Sequence, residues 1–336
     1  MSTHRDGRGR AGKIATLATS WVALYAARAL QRGEKSLAMS WLRIAFGTLL
    51  LTTNTLLHVP PLLLVALVKA IAPLRPIAPL RAIRRGCDSL LMGIAANWIG
   101  INTTLIRWFT RTRFTVDIDA RLRPDGHYLV LANHQTWVDI PVLQAALNRR
   151  VPLLRFFLKS QLFWVPLLGL AWWALDFPFM KRYSRQQLEQ RPELAGRDIA
   201  ATRRACAKFM HIPVAVMNFV EGTRFTAAKH AHQASPFAHL LKPKAGGVAF
   251  VLDAMGGALH SILDVTIVYP DGRPSMLDLF ANRVREVRVN IRERPIPAEL
   301  LGGNYQNDPA FRERMQAWLN ELWGEKDRLI AELRAA

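Results

Sequence analysis

Residues 128–141 read Tyr-Leu-Val-Leu-Ala-Asn-His-Gln-Thr-Trp-Val-Asp-Ile-Pro. The apolar run 128–132 has the length and composition of a strand buried on both faces. A polar loop follows. Asp139 before Ile140-Pro141 then marks a helix start, because Asp is a favoured N-cap and Pro is tolerated in the first turn. A second apolar run, 214–220, leads into Glu221-Gly222-Thr223-Arg224 in the same way. Further β-rich runs lie at 114–119, 177–180, 264–269 and 284–291, with helical candidates at 139–149, 197–210 and 243–255. Strands alternating with helices predict an α/β domain, a mostly parallel sheet flanked by helices. Asp308-Pro309 opens a last helix, 308–334, with Phe311, Met315, Trp318, Leu319, Leu322 and Trp323 at helical spacing.

Upstream of this domain the pattern is different. Ile44–Val68 is a run of 25 residues without a charge, and about 20 apolar residues suffice for a helix to cross a bilayer. Pro60 and Pro61 interrupt the run, with Asn54 and His58 near its middle. Two readings follow: a kinked span, or a helix–Pro–helix hairpin entering one leaflet and returning. Basic residues on both flanks favour the hairpin, since both ends then face the cytoplasm. Ile14–Ala27 follows Arg5, Arg8, Arg10 and Lys13 like a signal peptide. Arg28 and Arg32 directly after it oppose export, so it reads as a retained helix on the inner membrane surface. Residues 69–86, rich in Pro and Arg, read as a semi-rigid basic linker. The expected organisation is a basic segment 1–40, a membrane-embedded helix or hairpin 41–72, a basic Pro-rich linker and helix 73–112, and the α/β domain 113–336. Ser160–Leu175 is uncharged but only 16 residues long, which suits a core or interfacial helix better than a span.

Composition narrows the function. The chain has 336 residues, a formal charge of +20, 51% hydrophobic residues and 21% charged ones. That is too apolar for a disordered basic tail or a simple soluble nucleic-acid binder. Two cysteines exclude a disulfide framework and agree with a reducing compartment. Residues 1–113 hold 16 Lys or Arg against three acidic residues, a net +13. The excess charge thus flanks the most apolar stretch, where it can hold an anionic leaflet.

Two motifs carry chemistry. His134 and Asp139 are separated by four residues. On one regular helix they would point about 140° apart, so the pair works only if His134 lies in the loop. A carboxylate holding one imidazole nitrogen leaves the other as a general base. With nine histidines, this spacing alone arises by chance in roughly a third to a half of such chains. The second motif, Glu221-Gly222-Thr223-Arg224, can aim a guanidinium at an anion from a strand end.

The pair in this order, about 80 residues apart and each after a strand, resembles the glycerolipid (lysophospholipid) acyltransferase family. Leu175–Arg182 is similar to its second motif, Leu241–Gly247 to its basic-Pro-basic segment, and Val265–Pro270 to its last motif. The resemblance covers about residues 115–275. Departures are Asp176–Arg182, which reads like a branch near lysocardiolipin acyltransferases and their bacterial relatives, and Thr136 where Ser is frequent. The resemblance implies a membrane-associated O-acyltransferase that moves a fatty acyl group from acyl-CoA or acyl carrier protein to the free sn-2 hydroxyl of lysophosphatidate or a related lysophospholipid. His134 is the expected base and Asp139 its orienting partner, with no covalent acyl-enzyme. Asn133 and Thr136 are expected to support the loop or the oxyanion, helped by backbone N–H groups near the helix start. Lys181, Arg182, Glu221, Gly222, Thr223 and Arg224 are expected at the acceptor phosphate, and Lys242 and Lys244 at either substrate's phosphate. No metal or cofactor is expected, and no nucleic acid among the partners, which are membrane lipids, the lysophospholipid and the acyl donor. The expected location is the inner membrane of a bacterium, with the domain on the cytoplasmic side. Two rivals remain: a non-catalytic basic protein binding anionic lipid or nucleic acid, and a lipid hydrolase using the same His–Asp pair on water.

Overall fold

The computed structural model describes residues 37–71, 78–180, 206–207, 209 and 212–336. Lys181, Arg182, the basic segment before residue 37 and most of the 197–210 helical candidate lie outside the described residues.

Two long helices come first, α1 (Leu37–Ile71) and α2 (Ala78–Phe109). Their cross-links run antiparallel. Asn54 donates to Trp98 O (3.1 Å) and Asn102 Oδ1 (2.8 Å), while Lys69 pairs with Asp88 (2.7 Å). Ser40–Ile71 and Ala82–Phe109 are each long and apolar enough to cross a membrane, and Leu42, Leu49, Leu57, Leu64 and Ile71 stand exposed on α1. The structure corrects the position of the hairpin. Pro60 and Pro61 lie inside an unbroken α1, and the hairpin is formed by α1 with α2. Each proline forfeits the helical bond to the carbonyl four residues before it. Burial on either side offsets that cost: Val59, Leu62 and Ala66 pack against Leu91, Ala95 and Ala171. Residues 78–86, read as linker, are the first turns of α2.

The α/β unit follows. Its strands are β1 (Arg113–Asp119), β2 (His127–Ala132), β3 (Leu154–Phe156), β6 (Val214–Phe219), β7 (Ser261–Val268) and β8 (Glu286–Arg294), in the order β1-β8-β7-β2-β6-β3. All neighbours are parallel except β7 with β8. A separate parallel pair joins β4 (Leu158–Lys159) to β5 (Phe179–Met180). Every residue of β7 is buried, whereas β1 alternates exposed and half-buried, as a central and an edge strand should. One face of the sheet is covered by α6 (Ala245–Met255) and α8 (Pro309–Ala335) through Val248, Leu252, Met315, Leu319 and Trp323. The other carries α3 (Asp139–Leu147), with Val142, Leu143 and Ala146, and Ile106 of α2. Shorter helices are α4 (Leu168–Ala174), α5 (Ala227–Gln233) and α7 (Met276–Phe280).

Ser160–Leu175 is not one helix. A 3-10 turn, Ser160–Trp164, precedes α4. Leu167 between them has φ 62°, and a Cβ at Gly169 would sit 1.8 Å from Phe163 O, so the chain folds back too tightly for a continuous helix. At the far end, Asp308 caps α8 by accepting from Phe311 N–H (3.1 Å). Lys326 of α8 is buried and donates to Asp264, to Val265 O (2.7 Å) and to Thr266 Oγ1 (3.1 Å). It thereby holds α8 on the strand that enters the site.

Candidate active site

β2 and β6 are parallel, with Ala132 beside Phe219, so the loops after them open at one end of the sheet, where ligands of parallel sheets gather. Asn133 is fully buried. Its amide donates to Ile267 O (2.9 Å) and accepts from Ile267 N–H (2.8 Å). The side chain thus extends the β2–β7 ladder beyond the strand and fixes where the loop departs. The loop is also laced to the second motif. His134 N–H donates to Glu221 Oε1 (2.9 Å), and Phe225 N–H donates to His134 O (2.8 Å).

His134 Nδ1 lies 2.8 Å from Asp139 Oδ2. The same oxygen accepts from Gln135 N–H (2.6 Å) and Thr136 N–H (2.9 Å), and Asp139 Oδ1 accepts from the Tyr269 hydroxyl (2.7 Å). Asp139 is fully buried, so four donors stand in for its hydration. A carboxylate only accepts, so Nδ1 carries the hydrogen and Nε2 keeps its lone pair. Nε2 has no hydrogen-bond partner among the described residues, and the half-covered ring stacks on Phe219 with centroids 3.9 Å apart. Burial and the neighbouring Asp139 push the Tyr269 phenol well above its usual range, which keeps it a donor. Tyr269 comes one residue after β7. Its segment, Val265–Pro270, stands out in the sequence but the role of Tyr269 does not, although its place after a strand end matches those of the two motifs.

Several expectations are corrected by geometry. Asp139 does not cap α3: Val138 holds the cap position, without a side-chain bond, and the carboxylate turns back to the loop. Thr136 Oγ1 accepts from Val138 N–H (2.7 Å), which is loop support, one of the two roles expected of it. The Gln135 and Thr136 N–H groups and the Asn133 amide are likewise committed to loop contacts. Glu221, expected at a phosphate, is fully buried and joins the two loops by accepting also from Leu241 N–H (3.1 Å). A buried carboxylate repels an anion; its work is structural.

The cations stand around Glu221. Gly222, at φ +68°, turns the chain so closely that a Cβ there would lie 3.3 Å from Lys244 Cδ. Lys229 Nζ donates to Thr223 Oγ1 (2.7 Å) and Arg224 O (3.0 Å), and the Arg224 guanidinium lies 4.4 Å over the Trp137 ring. Lys242 is exposed, with its N–H held by Gln233 Oε1 (3.0 Å). Lys229 and Arg273 were not singled out from sequence. Arg273 donates to Gln135 Oε1 (2.7 Å) and covers the Phe225 ring at 3.7 Å. No local pattern announces either contact.

Burial raises the Glu221 carboxyl to about 7. Its folded-state pKa then exceeds its unfolded value, so the stability it contributes is full below about pH 4.5 and is lost as pH rises through about 7. Glu221→Gln leaves one of two backbone donors unpaired and is expected to cost about 1–3 kcal/mol. Thermal melting should show the gap from the parent protein narrowing between about pH 5 and pH 8.

A buried carboxylate–imidazole pair thus stands at a strand end of the α/β domain, beside a cationic loop. Residues 113–270 match the family model described as Acyltransferase. Mouse 1-acyl-sn-glycerol-3-phosphate acyltransferase epsilon is 27% identical over 230 residues, 61% of this chain and 57% of that protein. Zebrafish lysocardiolipin acyltransferase 1 is 24% identical over 251 residues, 70% of this chain and 60% of that protein. The matches thus span less than two thirds of these relatives. The fold is similar to the crystal structure of the 1-acyl-sn-glycerophosphate (LPA) acyltransferase PlsC from Thermotoga maritima, with TM-score 0.52 and 16% identity over 89% of this chain and 99% of that one.

Proposed function

We propose that the protein transfers a fatty acyl group from a thioester donor, acyl-CoA or acyl carrier protein, to the free sn-2 hydroxyl of lysophosphatidate or a related lysophospholipid. The observation that carries this reading is the 2.8 Å His134–Asp139 pair, with Nε2 open beside the Arg224 loop. Nε2 takes the proton of the acceptor hydroxyl as its oxygen attacks the thioester carbonyl. Asp139 stabilises the imidazolium that forms. The tetrahedral adduct then expels the thiolate, which leaves as the free thiol after taking a proton from the imidazolium. Arg224 is the proposed acceptor-phosphate ligand, with Lys181, Arg182 and Lys244 as further cations. Lys242 is proposed for either substrate.

The reaction is placed at a membrane surface. The exposed apolar faces of α1 and α2 support this, as do exposed Trp137, Trp164 and Trp173 on the α/β unit. A file of rings leads from His134 toward the hairpin: Phe219, then Phe156 at 6.0 Å, then Phe177 at 6.4 Å. It offers an apolar lane to a chain whose carbonyl sits at Nε2. The proposed location is the cytoplasmic side of a bacterial inner membrane, consistent with Cys87 and Cys206 buried as free thiols. Among the partners proposed, none is a nucleic acid.

The test is product analysis by mass spectrometry with several lysophospholipids and both donor types. Diacyl lipid and free thiol in equal amounts are expected. Free fatty acid in place of diacyl lipid would mean a hydrolase. Salt-dependent lipid binding without thioester consumption would mean a binding protein.

A further inference from the structure

A cavity of about 560 Å³ lies between α2 and the edge of the sheet, within the range of small-molecule sites. Pro124, before β2, and Ile212 and Pro213, before β6, help line it. The cavity therefore sits at the opposite end of the parallel strands from His134 and Glu221. Six residues of β2 at about 3.3 Å each put the two ends about 20 Å apart. Its wall is largely apolar, with Met92, Ala96, Ile99 and Leu147 among the lining residues.

Two features of the wall bear on what it could hold. Arg155 lines the cavity, is 1% exposed, and has a buried Nη1 without a hydrogen-bond partner among the described residues. Its Nε donates to Leu175 O (3.1 Å), Nη2 reaches Met92 Sδ (3.6 Å), and the guanidinium carbon lies 5.3 Å from the Phe209 ring centroid. Burial pulls the guanidinium down to about 10, so it is still a cation near neutrality. Asp88 and Asp176, the carboxylates that act on it, are both bonded to Lys69 Nζ. A buried cation without a bonded carboxylate calls for an anion. The second feature is Gly93, inside α2 and on the cavity wall, where an added Cβ would meet nothing within 4 Å. Glycine weakens a helix interior, and at this exposed position it leaves the cavity mouth without a side chain from α2. Exposed Arg85 and Arg149 also line the cavity.

We propose that this cavity is a second lipid site, taking a single-chain amphiphile whose anionic head meets Arg155 and whose alkyl chain lies along α2 past Gly93. A carboxylate or a phosphate head would satisfy the guanidinium equally in kind.

The test is native mass spectrometry of the full chain in detergent, with a long-chain fatty acid, the matching lysophosphatidate and the matching fatty alcohol. The parent protein should retain one fatty acid or one lysophosphatidate beyond any held at His134, and the anion retained longer identifies the head group. The alcohol should bind roughly tenfold more weakly or worse. Gly93→Leu puts a side chain on the cavity wall, where its Cβ meets nothing within 4 Å, and should lose the extra molecule. Arg155→Met should keep the alcohol and lose the preference for the anion; Gly93→Leu carries the test if that variant does not fold. No retained amphiphile in the parent, equal binding by Gly93→Leu, or equal binding of the alcohol would each overturn the proposal. The readout is binding rather than turnover, so its failure leaves the acyl-transfer reading untouched.

Discussion

His134→Ala is expected to lower the acyl-transfer rate by about 10²–10⁴-fold, the range a positioned general base contributes. The change is local. The backbone links of residue 134, from its N–H to Glu221 and from Phe225 to its carbonyl, survive in alanine. What disappears is the imidazole and its stacking on Phe219. Folded protein, verified by its melting curve, should therefore bind lysophospholipid but release thiol at a small fraction of the parent rate. A folded variant that transfers acyl groups at the parental rate would sink the general-base assignment.

Asp139→Ala is expected to cost both rate and stability. Four donors converge on this carboxylate: the His134 ring, the Gln135 and Thr136 N–H groups, and the Tyr269 hydroxyl. Alanine leaves them unpaired in a buried site, which should cost about 3–5 kcal/mol, as when one partner of a buried pair is removed. The rate should fall at least as far as in His134→Ala. Asp139→Asn separates the two effects. The two N–H groups would repel an amide nitrogen at Oδ2, so the Asn oxygen takes that place, and its NH₂ can donate to the Tyr269 oxygen. The loop and the imidazole tautomer are then kept, and only the negative charge is lost. Hydrogen bonds to charged groups exceed neutral ones by about 1–2 kcal/mol, so Asn should lose only about 5–30-fold in rate and melt close to the parent. Equal stability loss in both variants would contradict this picture of the loop.

How much of this was legible beforehand varies residue by residue. The runs 128–132 and 214–220 became β2 and β6 within a residue or two, because burial on both faces leaves a continuous apolar run, while 114–119 became the edge strand β1 through its alternation. Asp308 capped α8 as expected, since a cap is a contact within one turn. His134 and Asp139 were paired from spacing, and they meet because the loop between them is short. Glu221 was misread. Its acid group beside Arg224 looked like part of an anion site, and only the approach of the 134 and 241 backbones shows it to be a brace. Pro60–Pro61 was misread for a related reason: local rules price the lost hydrogen bonds, while the packing of Val59 and Leu62 on α2 and α4 is invisible in the run itself.

The division follows the range of the forces. Apolar periodicity, caps and a short His–Asp loop act within a few residues, so the order of amino acids alone was enough for the α/β class, an N-terminal helix of membrane-crossing length and the meeting of His134 with Asp139. The Tyr269 hydroxyl on Asp139, Glu221 between two loops, Lys326 on β7 and the unpaired Arg155 join residues 20 to 130 positions apart, or none at all. Those contacts exist only once the sheet order brings strand ends together, because a buried polar group takes whichever partner the packed chain delivers.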